Sequence, residues 1–372
     1  MYEKLAENII KNSLKRDVKG KKIFVISNGF AGAGAVREIS AAIAREGGIP
    51  CAEYFDLHAL AAFLDNATEE QIEAYVEALR ARYADAGGFV RALAEDDLHA
   101  LENVNPARRA LYIKLYAEKV RDAIMLKTNW VLFLVPTQAH ADLAKMELAE
   151  LTELAAKVSS LDYSEMNAAM EPLAALMSRT KKVHITGRGT DIGFSIEGMP
   201  AVKSAGECNI PDGEVFTAPV RESVNGVVQF NTMLVYSGQE TEYENIRLRF
   251  ENGRVAEFSS EKNGGKLAEF FATDEGSRYV GEFALGLNPF ITRPTGDILF
   301  DEKIAGSFHM ALGNCCEGAV NGNRSLNHFD MICIQTPEYG GGEIWFDDVL
   351  IRKDGRFVVP ELAGLNPENL IR

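Results

Sequence analysis

Two textures of hydrophobic and polar positions follow one another along the chain. Lys22 to Ile26 is a short apolar run of buried-strand type, followed by a glycine-rich turn, an alanine-rich helical stretch to about Arg45, and another apolar run from Ile49 to Phe55. That order predicts a β-α-β unit. Thr68 with Gln71 three positions later is a capping-box signature, and Ile72, Tyr75, Val76, Leu79 and Tyr83 then recur at helical spacing. Further helical segments are expected up to Trp130–Pro136 (WVLFLVP), an unbroken apolar run of the kind found in parallel sheets covered on both faces. Helices over about 141–158 and 163–177 complete a first half that reads as α/β.

From Lys182 the pattern changes to period two. KKVHIT and DIGFSI are strand-like, VVQFNTMLVYSG and ENIRLRF alternate, and Asn252-Gly253 and Asp354-Gly355 each stand between strand-like runs as type I′ hairpin signals. The expected fold class is therefore an N-terminal α/β domain with parallel strands, over 1–180, and a β-rich α+β domain over 181–372. A length of 372 residues suits two domains.

Composition narrows the function classes. Hydrophobic residues at 47% and charged residues at 25% are globular values. The net charge of −15 repels phosphate backbones and anionic membrane surfaces, so neither nucleic acid nor membrane is expected as a partner. The five cysteines are scattered and show no C-x-x-C spacing, which reads as reduced thiols in a cytoplasm. The N-terminal stretch carries Leu5, Ile9 and Ile10 on one face among charges, which predicts a surface helix and no signal-peptide core.

Candidate chemistry comes next. Gly29, Gly32 and Gly34 follow the first strand as G-x-x-G-x-G, the reverse of the dinucleotide fingerprint, with Glu53 and Asp56 about 20 residues on. A plain tight turn is the better reading of those glycines, because a lone glycine cluster in a β-α-β unit is a weak signal. No H-E-x-x-H helix, nucleophile elbow or Walker loop is present. In SLNHFDMICI the period of two puts His328 and Asp330 on one face at a strand's start, where the pair either chelates a divalent cation or forms a structural hydrogen bond. His309 lies among small residues in DEKIAGSFHMALGN. Glu214 follows a Pro-Asp-Gly turn into an apolar strand, and Glu282 is flanked by apolar residues, positions costly for an unpaired carboxylate. Singly, each glutamate reads as an edge residue; together with two histidines and an aspartate in one β-rich half, they point to a metal site.

NIPDGEVFTAP, YVGEFALGLNP, EKIAGSFHMALG and the His-x-Asp of NHFDM, in that order, resemble the aminopeptidase T family of metallopeptidases, the thermophilic leucyl aminopeptidases. ITGRGTDIGFSI and WVLFLVPTQAHA are similar to the same family. The resemblance implies a two-metal site on Glu214, Glu282, His309, His328 and Asp330, holding zinc, cobalt or manganese, in a C-terminal metal-binding domain. It further implies a homodimer and hydrolysis of the N-terminal peptide bond of peptides with a free N-terminus, through a metal-bound hydroxide. The chain departs from the family in having Cys316 where a tyrosine is usual, seven residues after His309, and in a shorter segment before His-x-Asp. Three carboxylates and two neutral imidazoles give −3 against +4 for two divalent ions, which leaves +1 for a hydroxide. Glu302 is the candidate proton shuttle, with a surface pair to Lys303 as its plain alternative.

Rival readings remain. A ring-cleaving dioxygenase of the dihydroxypyridine type resembles the same fold and needs one ferrous ion on His309, His328 and Asp330 only. A non-catalytic peptide-binding homologue has no use for five converging ligands, and a nucleotide-binding oxidoreductase rests on the glycine cluster alone.

Overall fold

The computed structural model describes residues 1–236 and 241–371. The chain forms two compact units, Met1–Asp162 with Gly206–Pro211, and Tyr163–Ala205 with Asp212–Arg372. The expected fold class is present: a parallel sheet in the first, antiparallel sheets in the second.

In the first unit the strand order is Ile49–Phe55, Lys22–Asn28, Ala86–Leu93, Asn129–Leu134 and Asn209–Ile210, all parallel. The expected β-α-β unit is there, with helix Ala33–Arg45 between the first two strands. Helix Glu69–Arg82 carries the full capping box, Thr68 and Gln71 exchanging bonds with each other's backbone N–H. One strand escapes the pattern. Ala86–Leu93 lies where further helix is expected, because it begins only a few residues after that helix and opens on Gly87 and Gly88, which dilute its apolar signal. It pairs between the Lys22 and Asn129 strands. Phe89 stacks on Phe24 with centroids 5.7 Å apart, and Tyr83 meets Phe24 edge-on at 4.8 Å, anchoring one core of this unit.

The glycine cluster is accounted for by close packing. Gly29 has φ 106°, and a Cβ there would lie 2.6 Å from the Ala94 carbonyl oxygen, while Gly34 packs on the Tyr2 ring. Glu53 accepts from Arg82 Nε at 2.6 Å and from the Tyr83 hydroxyl at 2.9 Å, and Asp56 caps helix Leu57–Asn66. Leu5, Ile9 and Ile10 are buried as the N-terminal periodicity predicts. No helix among the described residues is long and apolar enough to cross a membrane.

The second unit holds an eight-stranded antiparallel sheet in which the KKVHIT and DIGFSI segments pair as Lys182–Gly187 with Thr190–Ser195. Asn252-Gly253 and Asp354-Gly355 turn two hairpins with positive φ at both positions, as type I′ requires. The VVQFNTMLVYSG run divides into strands Asn225–Gln229 and Met233–Tyr236, which belong to different sheets; its last residues, Ser237 and Gly238, lie outside the described residues.

A five-stranded antiparallel sheet carries the candidate residues, in the order His328–Ile334, Ser307–Gly313, Val280–Gly286, Glu214–Thr217, Val202–Ser204. One face is apolar, with Phe283, Phe308, Met310 and Met331 fully buried and Phe283 edge-on to Phe194 at 5.0 Å. The other face bears every polar candidate. The pairing sets each beside a small neighbour: Gly286 opposite Glu214, Ala284 opposite His309, Ala311 opposite both Glu282 and Asp330, and Gly313 opposite His328. Large cross-strand partners would fill the space those side chains enter.

Gly253 tests the hairpin argument. A Cβ at its φ of 82° would collide with the Arg221 carbonyl, so Gly253→Ala should cost about 1–3 kcal/mol in urea unfolding. Gly264→Ala, whose Cβ meets open space, should change stability little; equal losses in the two variants would refute the strain.

Candidate metal centre

The local chain delivers each side chain for an identifiable reason. Asp212 opens the turn before the Glu214 strand; its N–H donates to the Tyr163 hydroxyl at 3.1 Å and its carbonyl accepts from Asn288 Nδ2 at 2.7 Å. The N–H of the same fully buried Asn288 donates to the Lys303 carbonyl at 2.9 Å, so one asparagine ties the Asp212 turn to the segment carrying Glu302 and Lys303. That segment follows the short helix Ile298–Asp301 and leads into the His309 strand.

The five expected residues converge. His309 Nε2 lies 3.4 Å from Glu214 Oε2, 3.4 Å from Glu282 Oε1 and 3.9 Å from Asp330 Oδ1. His328 Nε2 lies 3.4 Å from Asp330 Oδ1 and 3.7 Å from Glu282 Oε2. Glu282 thus turns one carboxylate oxygen to each imidazole. The far ring nitrogens are engaged by backbone: Nδ1 of His309 donates to the Glu302 carbonyl at 3.1 Å, and Nδ1 of His328 to the Asn314 carbonyl at 2.8 Å. Both imidazoles are thereby held with Nε2 aimed into the cluster, as outer hydrogen bonds hold metal-ligating histidines. Of the other histidines, His140 lies 2.7 Å from the Thr137 hydroxyl and His184 pairs with Asp191 at 2.8 Å on the surface; neither joins the cluster.

Two residues that pattern reading did not place, Lys303 and Asp212, belong here beside Glu302, the candidate proton shuttle. Lys303, with its side chain 1% exposed, donates to Glu214 Oε1 at 2.6 Å and lies 2.8 Å from Glu302 Oε1 and 3.4 Å from Asp212 Oδ1. Glu302 does pair with Lys303, but in the interior; the surface pair is corrected. Asp212 is the second, and its Pro-Asp-Gly turn was the only visible signal. Lys303 gave none, because a lysine beside glutamate ordinarily marks a solvated stretch. Cys316, at 3.9 Å from His328 Nε2, forms a group of potential ligand atoms with Glu282 and His328; Glu214, Glu282 and His309 form another, and Glu302, His309 and Asp330 a third.

Electrostatics show a site short of positive charge. Burial pushes the Glu214 carboxyl up to about 8 against the pull of Lys303, and burial likewise raises Glu302. Despite burial, the hydrogen bond with Glu282 and the charges of Glu214 and Asp330 lift His309 to about 9, and Asp330 holds His328 well above the usual imidazole range. Burial opposes ionisation of Asp330 too, but His328 and His309 bring it well below the usual carboxylate range. Protons and Lys303 are the cations available here. Even so, the buried atoms Glu214 Oε2 and Asp330 Oδ1 find no hydrogen bond. Hard oxygens with lone pairs free and imidazole nitrogens aimed between them fit a divalent cation.

The β-rich unit thus gathers carboxylates and imidazoles in one buried cluster that could hold metal ions. The chain belongs to the thermophilic metalloprotease (M29) family, whose model matches residues 1–357. It is similar to aminopeptidase T of Thermus thermophilus, 31% identical over 67% of this chain and 68% of that protein, and to aminopeptidase T of Thermus aquaticus, 30% identical over 64% and 65%. Aminopeptidase AmpS of Bacillus subtilis is 32% identical over 40% of this chain. These matches span between 39% and 68% of the relatives' own lengths. The solved structure of wild-type AmpT from Thermus thermophilus aligns with a TM-score of 0.78 at 26% identity, covering 96% of this chain and 99% of that one.

Two predictions follow from the charge distribution. Lys303→Met would strand Glu214, Glu302 and Asp212 without their shared cation, so stability of the metal-free protein should fall by about 3–5 kcal/mol in thermal unfolding; an unchanged melting temperature would remove Lys303 from this role. The second concerns pH. His309 rises from 6.5 to about 9 on folding, so its stabilisation is complete below about 6.5 and lost as pH climbs through about 9. Glu214, raised from 4.5 to about 8, acts in the same direction, because its folded form holds a proton that the unfolded one releases. The metal-free protein should therefore lose thermal stability from about pH 4.5 to 9, first through Glu214 and above about 6.5 through His309 as well, and saturation with a divalent cation should flatten the profile.

Proposed function

We propose that this protein is a metal-dependent aminopeptidase and that Glu214, Glu282, His309, His328 and Asp330 hold two divalent cations, of the zinc, cobalt or manganese kind. The observation that carries this reading is Glu282, with one oxygen toward each imidazole: 3.4 Å to His309 Nε2 and 3.7 Å to His328 Nε2. A carboxylate between two imidazoles suits a bridge between two ions better than a single ferrous ion, and membership of a metalloprotease family supports the same choice.

Bound divalent ions supply Lewis acidity for the peptide carbonyl and lower the pKa of a water. The chain's own residues do the rest. Asp212, Glu214, Glu282, Glu302 and Asp330 carry formal −5 and Lys303 +1, which leaves −4 for two divalent cations to neutralise. The count from five ligands alone, which left +1, changes because Asp212, Glu302 and Lys303 are buried in the same cluster. Moving a proton from the attacking water to Glu302 keeps the total unchanged, and burial already raises that carboxyl above its ordinary range. Glu302 takes this proton and returns it to the leaving amine, with Lys303 at 2.8 Å orienting its carboxylate. The substrate's free α-amine is drawn to the carboxylate-rich site, which restricts cleavage to the first peptide bond. The homodimer implied by the family resemblance and the cytoplasmic location read from the scattered cysteines belong to the same proposal, the former checked by sedimentation.

A chelator should abolish hydrolysis of aminoacyl reporter substrates, and zinc, cobalt or manganese should restore it; chelator-resistant hydrolysis would overturn the reading. Blocking the peptide N-terminus should remove activity. Glu282→Ala should lower turnover by several orders of magnitude and reduce metal content below two ions per chain. Asp330→Asn should lose metal while keeping its fold, by circular dichroism. Oxygen uptake with a dihydroxylated aromatic ring, surviving Glu282→Ala while peptides remain uncut, would favour the dioxygenase.

A further inference from the structure

We propose that Cys316 is itself a metal ligand: with Glu282 and His328 it forms the outer of the two cation positions and biases that position toward zinc or cobalt over manganese. This rests on the two-cation reading above. The ligand atoms of the three residues all lie within 4.8 Å of one another. Cys316 Sγ is 3.9 Å from His328 Nε2, and Glu282 Oε2 is 3.7 Å from the same nitrogen. On a tetrahedral zinc ion, with Zn–S about 2.3 Å and Zn–N about 2.0–2.1 Å, sulfur and nitrogen stand roughly 3.6 Å apart. The spacing is that of ligands around one ion.

A separate observation points to the same place. Asp330, 8% exposed, has an Oδ1 atom 3.4 Å from His328 Nε2 and no hydrogen bond, so an unsatisfied buried oxygen lies beside the imidazole that Cys316 also approaches. The His328 ring is fixed from behind by its 2.8 Å bond to the Asn314 carbonyl, two residues before Cys316, so one short segment positions both the imidazole and the sulfur. Cys316 is half-buried and packs against the cluster of Phe216, Ala218, Ala284 and Ala319. The adjacent Cys315 is directed elsewhere, its thiol donating to the Asn323 carbonyl at 3.2 Å. On coordination the Cys316 thiol proton leaves to solvent, which takes the formal total of the site with two divalent cations from zero to −1. A thiolate is a soft ligand, which selects zinc or cobalt over the harder manganese.

Cobalt loading of the full-length metal-free protein tests this without reference to turnover. Wild type and Cys315→Ser should both show near-ultraviolet sulfur-to-cobalt charge-transfer absorption, and Cys316→Ser should lack it while keeping its circular dichroism. Zinc should bind Cys316→Ser roughly tenfold or more weakly than wild type, with manganese affinity changed much less. In thiol titration with a disulfide reagent, metal should protect one cysteine in wild type and none in Cys316→Ser. Two cobalt ions bound per chain with ligand-field bands alone would overturn the thiolate ligand and leave the two-cation reading standing. Failure to take up any cobalt would remove both.

Discussion

Five carboxylates gathered in one buried cluster repel one another, and the second unit is organised around that repulsion. Asp212, Glu214, Glu282, Glu302 and Asp330 have given up most of their hydration, and uncompensated negative charge is costly there. Lys303 supplies one such charge and touches three of the five; the two imidazoles supply more by retaining protons. Two carboxylate oxygens remain without hydrogen bonds. Protons and one lysine thus compensate the carboxylates incompletely.

The sheet makes the arrangement rigid. Its far face is packed with Phe283, Phe308, Met310 and Met331, so the ligand strands cannot slip, and a one-residue slip would exchange the two faces. Each of the five side chains has a glycine or alanine opposite it on a neighbouring strand, which leaves space beside it without loosening the backbone pairing. Asn288, bonded to both the Asp212 turn and Lys303, then joins the buried cation to the sheet. Stability and chemistry are linked, because the bonds that hold these strands in register also set the distance between the imidazoles and the carboxylates.

Local pattern was a good guide wherever one segment carries its own instructions. The capping box at Thr68, the positive-φ hairpins at Asn252-Gly253 and Asp354-Gly355, and the i, i+2 placement of His328 and Asp330 each depend on a few adjacent residues. The pattern failed at Ala86–Leu93, where two glycines weaken the strand signal and pairing with two neighbouring strands supplies what local preference lacks.

The sequence by itself determined the class of each half, the single face shared by His328 and Asp330, and, through an ordered set of short motifs, the five side chains that converge. It determined these because period two, period 3.6 and turn chemistry act over a few residues. Only the tertiary structure decided that Lys303 is an internal cation, that Glu302 belongs to the interior, and that Cys316 and not Cys315 faces His328. Those facts depend on which strands lie side by side and on how far each side chain is removed from water. Burial and charge pairing across 89 residues, as between Lys303 and Glu214, leave no mark in the neighbouring sequence.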